Sequence, residues 1–340
     1  MTKSSGKQSS SRSGAGSAPV MDERALNRAT LARQLLLCRS PRSVPDAVRH
    51  LLGLQAQNTR PPYYALAARL DGFAPERLSA LMAGRDVARI VTLRSTIHTH
   101  TADDCLTLRP FVQSARDREL GYFRAGLAGV DPDRLAAVAR ELVEAEPRTM
   151  AQLREALGAV WPDADPRALA VAARCLLPLV QVTPRGLWEE SGQVALTTIE
   201  HWLGRPAEPA PAPDAVVPRY LAAFGPASVR DMQTWCGLTR LKPAFERLRP
   251  GLLTFRDPNG VELFDHRGRH WRGNQAYRTL LVDGFLAGLW KLDGDTLVIE
   301  TFERPTRAQR EEVTAEGERM LAVMHPGAAY DIRFGEVVRS

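Results

Sequence analysis

Two glutamines stand two residues apart in the segment Leu51–Arg60, which reads LLGLQAQNTR. Gln55 and Gln57 follow Gly53 and precede two prolines, so we expect the chain to leave a helix here and run extended. Alternate side chains of an extended chain share one face. Each carboxamide can donate and accept hydrogen bonds without carrying charge. The pair could therefore direct uncharged hydrogen bonds at one point; the alternative is that both are surface or capping residues.

A second polar group follows between residues 88 and 100. We expect residues 88–99 to form a strand, in which alternate side chains share a face. That face would carry a cationic, hydrogen-bonding row of Arg94, Thr96, His98 and His100. The row could bind phosphates. The alternatives are a metal site that adds Cys105 or Asp103 to the two histidines, and a solvated strand face.

A third segment, residues 266–281, reads HRGRHWRGNQAYRTLL and contains no acidic residue. Its arginines include Arg267, Arg269 and Arg272, and Trp271 and Tyr277 lie among them. Basic groups interleaved with aromatic rings suit contacts to a nucleic-acid backbone combined with base stacking. An exposed basic loop is the alternative.

The whole chain is basic, and its cations are mostly arginine. Among 340 residues, 45 lysines and arginines face 39 acidic residues, and only four of the 45 are lysines. Arginine-rich surfaces favour polyanionic partners. The chain lacks a P-loop, GxGxxG, GxSxG and HExxH, which excludes the motif-bearing nucleotide, dehydrogenase, serine-hydrolase and zincin classes. It also lacks a run of apolar residues long enough for a membrane span, so we expect a cytoplasmic protein.

An internal repeat organises the elements around these residues. Pro147–Gly158 and Pro226–Gly237 each begin with a hydroxyl helix cap, continue with one apolar face and end in a glycine suited to a left-handed turn. A second helix and then strand-like sequence follow each block, as in a helix-turn-helix with a β-hairpin. Pro41–Gly53, with Ser43 as the cap, repeats the pattern more loosely.

These patterns predict an α+β, mainly helical fold of three tandem winged-helix units with accessory helices and a C-terminal β-meander. We expect a disordered tail over 1–21, a first unit with the glutamine pair over 22–102, and a second unit over 103–203. An extended Pro/Ala linker should occupy 204–218, and the third unit, with the hairpin, the meander and a final helix, should occupy 219–340. The meander strands are predicted at 279–283, 286–292 and 296–302, and the final helix after Thr306.

The residues LLGLQAQ, Ala65–Arg69, Val91–His98 and Val282–Trp290 together resemble the AlkZ-like family of winged-helix DNA glycosylases. That family carries a glutamine–apolar–glutamine motif, a strand ending close to R-G-T-[LI]-H, and a hairpin of VDG-x-[VL]-AG-x-W type. The resemblance covers about residues 24–325 and includes the three-unit organisation. Ser95 stands where the family usually has glycine, the segment over 263–276 is shortened, and Phe285 occupies the hairpin tip.

The resemblance implies hydrolysis of the N-glycosidic bond of alkylated purines, typically N7-alkylguanine, with some members unhooking interstrand crosslinks. It implies that Gln55 and Gln57 position the attacking water and that no metal or cofactor is required. The expected DNA contacts are Asn58, Arg60, Arg94, Thr96, His98, Arg267, Arg269 and Arg272. We therefore expect a nucleoid-associated monomer that acts on alkylated duplex DNA in repair or in self-resistance to a genotoxin. The alternatives are a winged-helix regulator without enzymatic activity and a scaffold that binds no nucleic acid.

Overall fold

The computed structural model describes residues 18–266, 279–282, 285–327 and 329–336. It is an α+β protein in which helices predominate over short strands, as predicted. The helices before residue 204 are α1 (Glu23–Arg33), α2 (Val44–His50), α3 (Pro61–Ala67), α4 (Pro75–Ala83), α5 (Ala102–Phe111), α6 (Gln113–Gly121), α7 (Pro132–Ala145), α8 (Met150–Val160), α9 (Pro166–Leu176) and α10 (Ile199–Leu203). The strands of this part are β1 (Leu54–Gln55), β2 (Val87–Val91), β3 (Ile97–Thr101), β4 (Arg148–Thr149), β5 (Leu179–Gln181) and β6 (Ala195–Thr198).

The carboxy-terminal part contains longer strands. Its helices are α11 (Pro213–Phe224), α12 (Val229–Cys236), α13 (Lys242–Leu248) and α14 (Arg307–Met324). Its strands are β7 (Leu252–Arg256), β8 (Glu262–His266), β9 (Thr279–Val282), β10 (Phe285–Asp293), β11 (Thr296–Thr301) and β12 (Asp331–Glu336). Among the described residues, none of the helices combines the length and the apolar character that crossing a bilayer requires.

One antiparallel sheet joins the two regions predicted as the first and second units. Its strand order is β1-β3-β2-β5-β6-β4, so β2 pairs with β5 across the expected boundary at residue 102. The register places Arg89 opposite Gln181 and Ile90 opposite Val180. Because backbone hydrogen bonds cross the boundary, the two regions are held as one body at this sheet.

The helix starts follow the predicted capping residues. The side chains of Ser43, Thr149, Ser228 and Thr306 each accept a hydrogen bond from the first turn of the helix that follows. Gly237 ends α12 at φ 75°, the left-handed position expected of it. Gly158 does not end its helix, since α8 continues to Val160. A glycine inside a helix costs only about 1 kcal/mol, so it does not force an end.

The predicted linker is shorter than expected, because its last residues start a helix. Pro213 is the first residue of α11, where a proline loses no hydrogen bond, and Pro218 lies inside the helix. The apolar residues Val216, Val217 and Leu221 of α11 are buried. Their burial in the core of the carboxy-terminal part offsets the hydrogen bond that Pro218 cannot make. The connection between α10 and α11 therefore covers only residues 204–212, and it begins with Gly204 in a left-handed turn.

The other end of the chain also differs from the prediction. Residues 1–17 lie outside the described residues, but Pro19 and Met21 form backbone hydrogen bonds with Arg256 of β7. Residues 19 and 21 of the predicted tail therefore pair with β7. The carboxy-terminal meander is confirmed: β9, β10 and β11 pair antiparallel in chain order. A strand that was not predicted, β12, pairs parallel with β11 after α14 crosses the sheet.

Candidate active site

The glutamine segment leaves the helix as predicted. After α2 the backbone turns through Gly53 at φ 94° and enters β1, which contains Gln55. Leu54 and Ala56 are buried, whereas Gln55 is half-buried and Gln57 is exposed. The two glutamines are thus the accessible members of an alternating stretch.

Hydrogen bonds attach this segment to the start of β3. The Ala56 N–H donates to the Ile97 carbonyl at 2.8 Å, and the Ile97 N–H donates to Gln57 Oε1 at 3.3 Å. Because a backbone N–H can only donate, this contact assigns the carbonyl end of the Gln57 carboxamide to Ile97. The Gln55 carboxamide makes no hydrogen bond with any residue that the structure describes, so its donors and its acceptor remain available.

The strand predicted over 88–99 is broken in the middle. β2 ends at Val91, and a 3₁₀ turn over Leu93–Ser95 precedes β3. Arg94 and Ser95 adopt φ values of 51° and 58°. Such left-handed residues favour glycine, which gives a physical reason for glycine being usual at position 95 in the pattern that the sequence resembles. Arg94 therefore lies on a turn and not on the face of a strand, and the predicted four-residue row does not form.

His98 is the clearest correction to the predicted DNA contacts. Its side chain is buried, as is that of His100, and the two rings stack with centroids 5.7 Å apart. His98 Nδ1 lies 3.1 Å from the Thr96 carbonyl, to which it can donate, and His100 Nε2 lies 2.8 Å from the Thr92 hydroxyl. The pKa of each histidine is lowered to about 3, mainly by burial, and the neighbouring His100 contributes to the lowering at His98. A buried, neutral His98 cannot be a cationic phosphate contact.

The metal site considered as an alternative is not assembled either. Within the described part of the chain, no three or more histidine, cysteine, aspartate or glutamate side chains are grouped so that they could hold a metal ion. Cys105 is fully buried, and burial raises the pKa of its thiol well above its usual range.

Arg94 and Thr96 have partners within the protein. The Arg94 guanidinium donates to the Trp235 carbonyl at 3.1 Å, at the end of α12, and Arg118 donates to the carbonyl of Gly237 beside it. Cations at the carbonyl end of a helix are favourable. The Thr96 hydroxyl donates to the Leu93 carbonyl at 3.0 Å and closes the turn. Arg94 is nevertheless exposed, so it fastens the turn to α12 at the protein surface.

Asn58 and Arg60 lie on the exposed loop after the glutamines. The Asn58 side chain accepts a hydrogen bond from the Arg60 N–H at 3.3 Å. The Arg60 guanidinium lies 5.6 Å from the ring centroid of Trp188. That distance permits a cation–π interaction, which keeps the charge at the surface near the glutamine loop.

Trp188 is a neighbour of the glutamine loop that sequence reasoning missed. Its ring packs beside Tyr63, Tyr64 and His325, with centroids 5.0, 6.0 and 5.9 Å away. Burial is the main reason that the pKa of His325 is lowered, and the charge of Arg60 lowers it further. Tyr63 and Tyr64 belong to α3, Trp188 to the loop between β5 and β6, and His325 to the end of α14. Nothing in the local sequence indicates that these distant elements meet.

The predicted contacts Arg267, Arg269 and Arg272 lie outside the described residues. The last described residues before them include Asp265, which is buried and forms an ion pair with Arg33 at 2.7 Å. The carboxylate of Asp265 therefore neutralises an internal arginine. Of the predicted site residues, the structure places Gln55 in β1 and Gln57, Asn58 and Arg60 on the loop that follows it. This segment is joined to β3, next to the turn of Arg94 and Thr96.

Two of the comparisons with known proteins give a match. The family model described as DNA glycosylase AlkZ-like matches residues 48–276 and 263–323. The fold is similar to that of Streptomyces sahachiroi DNA glycosylase AlkZ, with a TM-score of 0.71 at 17% sequence identity, over 93% of this chain and 100% of that chain. At this identity the likeness concerns the fold. No curated protein matches the chain in sequence.

Proposed function

The chain belongs to the AlkZ-like family of DNA glycosylases, and on that basis we propose that it hydrolyses the N-glycosidic bond of N7-alkylguanine in duplex DNA. It is a DNA glycosylase of alkylation or crosslink repair. The finer proposal is a monofunctional, monomeric hydrolase without a cofactor, in which Gln55 and Gln57 orient the water. The observation that carries it is the accessible pair of carboxamides on a loop held to β3.

The chemistry suits neutral amides because an N7-alkylated guanine is already a cationic leaving group. The oxygen of water bonds to C1′ of the deoxyribose while the bond from C1′ to N9 breaks. The electron pair of that bond neutralises the purine, and a proton passes from the water to solvent. The protein does not need to protonate the leaving group, so its task is to hold the water against the sugar. Positioning of this kind lowers the activation barrier by several kcal/mol.

The two glutamines would share this task unequally. Gln57 has its Oε1 occupied by the Ile97 N–H, so its amino group is the part left to donate to the water. Gln55 is unconstrained by any described partner, so its Oε1 can accept a hydrogen bond from the water. A lone pair of the water oxygen can then face C1′. Gln57 would then act as the fixed member and Gln55 as the adjustable one.

The surrounding polar residues would hold the DNA backbone. We assign phosphate contacts to Arg60 and Arg94 and a hydrogen bond from the Asn58 amide. A hydrogen bond from Thr96 requires its hydroxyl to turn from the Leu93 carbonyl towards the phosphate. Arg60 and Asn58 are exposed beside the glutamines, and Arg94 is exposed on the adjoining turn. Arg267, Arg269 and Arg272 complete the proposed set. Arginine is suited to this role because its planar guanidinium can contact a phosphate through two N–H groups.

The three winged-helix units are part of the same proposal. In the second unit, helices α8 and α9 lead into the strand pair β5–β6, and β4 pairs with β6. In the third unit, α12 and α13 lead into the strand pair β7–β8, and a β-bridge joins Ala227 to Phe264. We interpret both as helix-turn-helix segments followed by a hairpin. In the first unit β1 follows α2, and the pair β2–β3 comes after α4. A regulator would be expected to dimerise on spaced half-sites, and family membership does not favour it.

The test is release of the base from an oligonucleotide that contains N7-methylguanine, with heat or alkali revealing the abasic site. Gln55→Ala and Gln57→Ala should each lower the single-turnover rate at least 100-fold while DNA binding persists. Gln309→Ala is the control, because Gln309 is a hydrogen-bonded amide at the far end of the 18-residue α14 from His325. Sequence-selective binding without base release would instead support the regulator.

A further inference from the structure

Arg89 is a buried cation directly behind the glutamine segment. It lies in the middle of β2 with 2% of its surface exposed. Its Nη2 donates to the Ala56 carbonyl at 2.9 Å, and its Nε donates to Gln181 Oε1 at 3.2 Å. No carboxylate of a described residue lies within ion-pair distance, and Nη1 has no hydrogen-bond partner among those residues. Burial lowers the pKa of Arg89 to about 10, so the group stays charged at neutral pH.

The structure holds this guanidinium closely. The sheet register puts Arg89 opposite Gln181 on β5 and opposite Thr99 on β3. Gly186 adopts φ 104°, and a Cβ there would come within 2.6 Å of Arg89 Cδ. The Tyr63 hydroxyl donates to the Gly186 carbonyl at 2.6 Å and fixes that loop. A charged side chain buried without an acid costs several kcal/mol, and the hydrogen bonds of Arg89 to Ala56 and Gln181 offset part of that cost.

Arg89 forms a hydrogen bond with Ala56, the residue between the two glutamines. The carbonyl of Ala56 accepts from Arg89, while its N–H donates to Ile97 on β3. Ala56 itself is fully buried. The backbone of the segment is therefore held on both sides of Ala56, and the directions of the side chains of Gln55 and Gln57 depend on it.

We propose that Arg89 is a positioning residue for base release: its guanidinium fixes the Ala56 peptide from inside the protein and so aims the carboxamides of Gln55 and Gln57 at one point. This inference rests on the function proposed for the two glutamines. Arg89 touches neither the DNA nor the water. Displacement of a catalytic group by about 1 Å can cost about 100-fold in rate, so a small loss of alignment should be measurable.

Arg109 provides a matched control. It is equally buried and has no ion-pair partner among the described residues, and burial lowers its pKa to about 10 as well. It donates to the Cys175 carbonyl at 2.7 Å and to the side chain of Gln113. Arg109→Lys and Arg89→Lys thus remove the same kind of interaction, and only the second lies behind the glutamines.

Arg89→Lys should lower the single-turnover rate of base release from N7-methylguanine DNA by about 10- to 100-fold, and Arg89→Met should lower it further. The Kd for the same DNA should change less than about threefold. Arg109→Lys should lower the melting temperature to a similar extent yet leave the rate within about threefold of the wild type. Equal rates in Arg89→Lys and Arg109→Lys would overturn the proposal.

Hydrogen exchange supplies a readout that does not depend on the substrate. In Arg89→Lys the Ala56 amide, which donates to the Ile97 carbonyl, should exchange about 10-fold faster than in the wild type, and in Arg109→Lys it should not. Unchanged exchange in Arg89→Lys would also overturn the proposal. A wild-type protein that releases no base would overturn the proposed substrate instead, and the placement by Arg89 would then be decided by the exchange result alone.

Discussion

Gln55 lies directly opposite His98 in the antiparallel pairing of β1 with β3. Residues that face each other in this way project to the same side of a sheet. An accessible carboxamide therefore stands beside a buried ring whose pKa is lowered to about 3. The uncharged Gln55 side chain is open to solvent, whereas the titratable His98 ring is buried and neutral.

Protein stability should fall as the pH is lowered from 6.5 towards 3. His98 and His100 have folded-state pKa values of about 3 against 6.5 when unfolded, so the unfolded chain takes up protons first. The two neutral histidines make their full contribution to the free energy of unfolding above pH 6.5. At pH 5, protonation of each histidine in the unfolded chain should lower the free energy of unfolding by about 2 kcal/mol. Urea titrations at a series of pH values measure this slope. In the double variant His98→Gln/His100→Gln the slope should be much shallower, and an unchanged slope would refute the assignment.

Gly53→Ala should destabilise the protein by about 2–5 kcal/mol. A Cβ at this position would lie 2.3 Å from Cε1 of His100, and the φ of 94° is strained for alanine. Gly72→Ala is the matched control, since Gly72 has φ 56° but no atom within 4 Å of the added Cβ. It should cost only the strain, about 1–2 kcal/mol. Chemical denaturation compares the two, and equal losses would mean that the contact with His100 contributes nothing.

Asp265→Asn should reduce the free energy of unfolding by about 3–5 kcal/mol. The change leaves the buried Arg33 guanidinium without its counter-charge, and that guanidinium also donates to the Leu221 carbonyl. Glu316→Gln, which removes a half-exposed partner of Arg39 and Arg319, should cost less than about 1 kcal/mol. Calorimetry distinguishes them. A small effect at Asp265 would show that the buried pair is not needed to join α1 to the carboxy-terminal part.

Arg60→Gln should reduce the salt dependence of DNA binding. If Arg60 contacts one phosphate, the slope of log K against log salt should become shallower by about 0.9. Fluorescence anisotropy at several salt concentrations gives the slope. Arg307→Gln, at the exposed start of α14, should leave the slope unchanged. A slope that stays the same in Arg60→Gln would remove Arg60 from the proposed phosphate contacts.

Local features of the fold were predictable from the sequence. The caps Thr149, Ser228 and Thr306, the turn at Gly237 and the meander strands depend on residues within a few positions of one another. The predictions of an extended linker up to residue 218 and of an unbroken strand over 88–99 were wrong, because both depended on packing. Pro218 lies within a helix because the neighbouring apolar residues are buried, and Arg94 and Ser95 interrupt a strand that propensity alone would continue.

The sequence by itself determined where the glutamine pair leaves a helix, because a glycine before it and two prolines after it act on their immediate neighbours. Only the tertiary structure decided what surrounds the pair. His98 is buried and neutral, Arg89 reaches Ala56 from 33 positions away, and Trp188 meets Arg60 across an even longer separation. Burial and hydrogen-bond partners of this kind arise when the sheet and the helices pack together. The spacing of residues along the chain does not predict them.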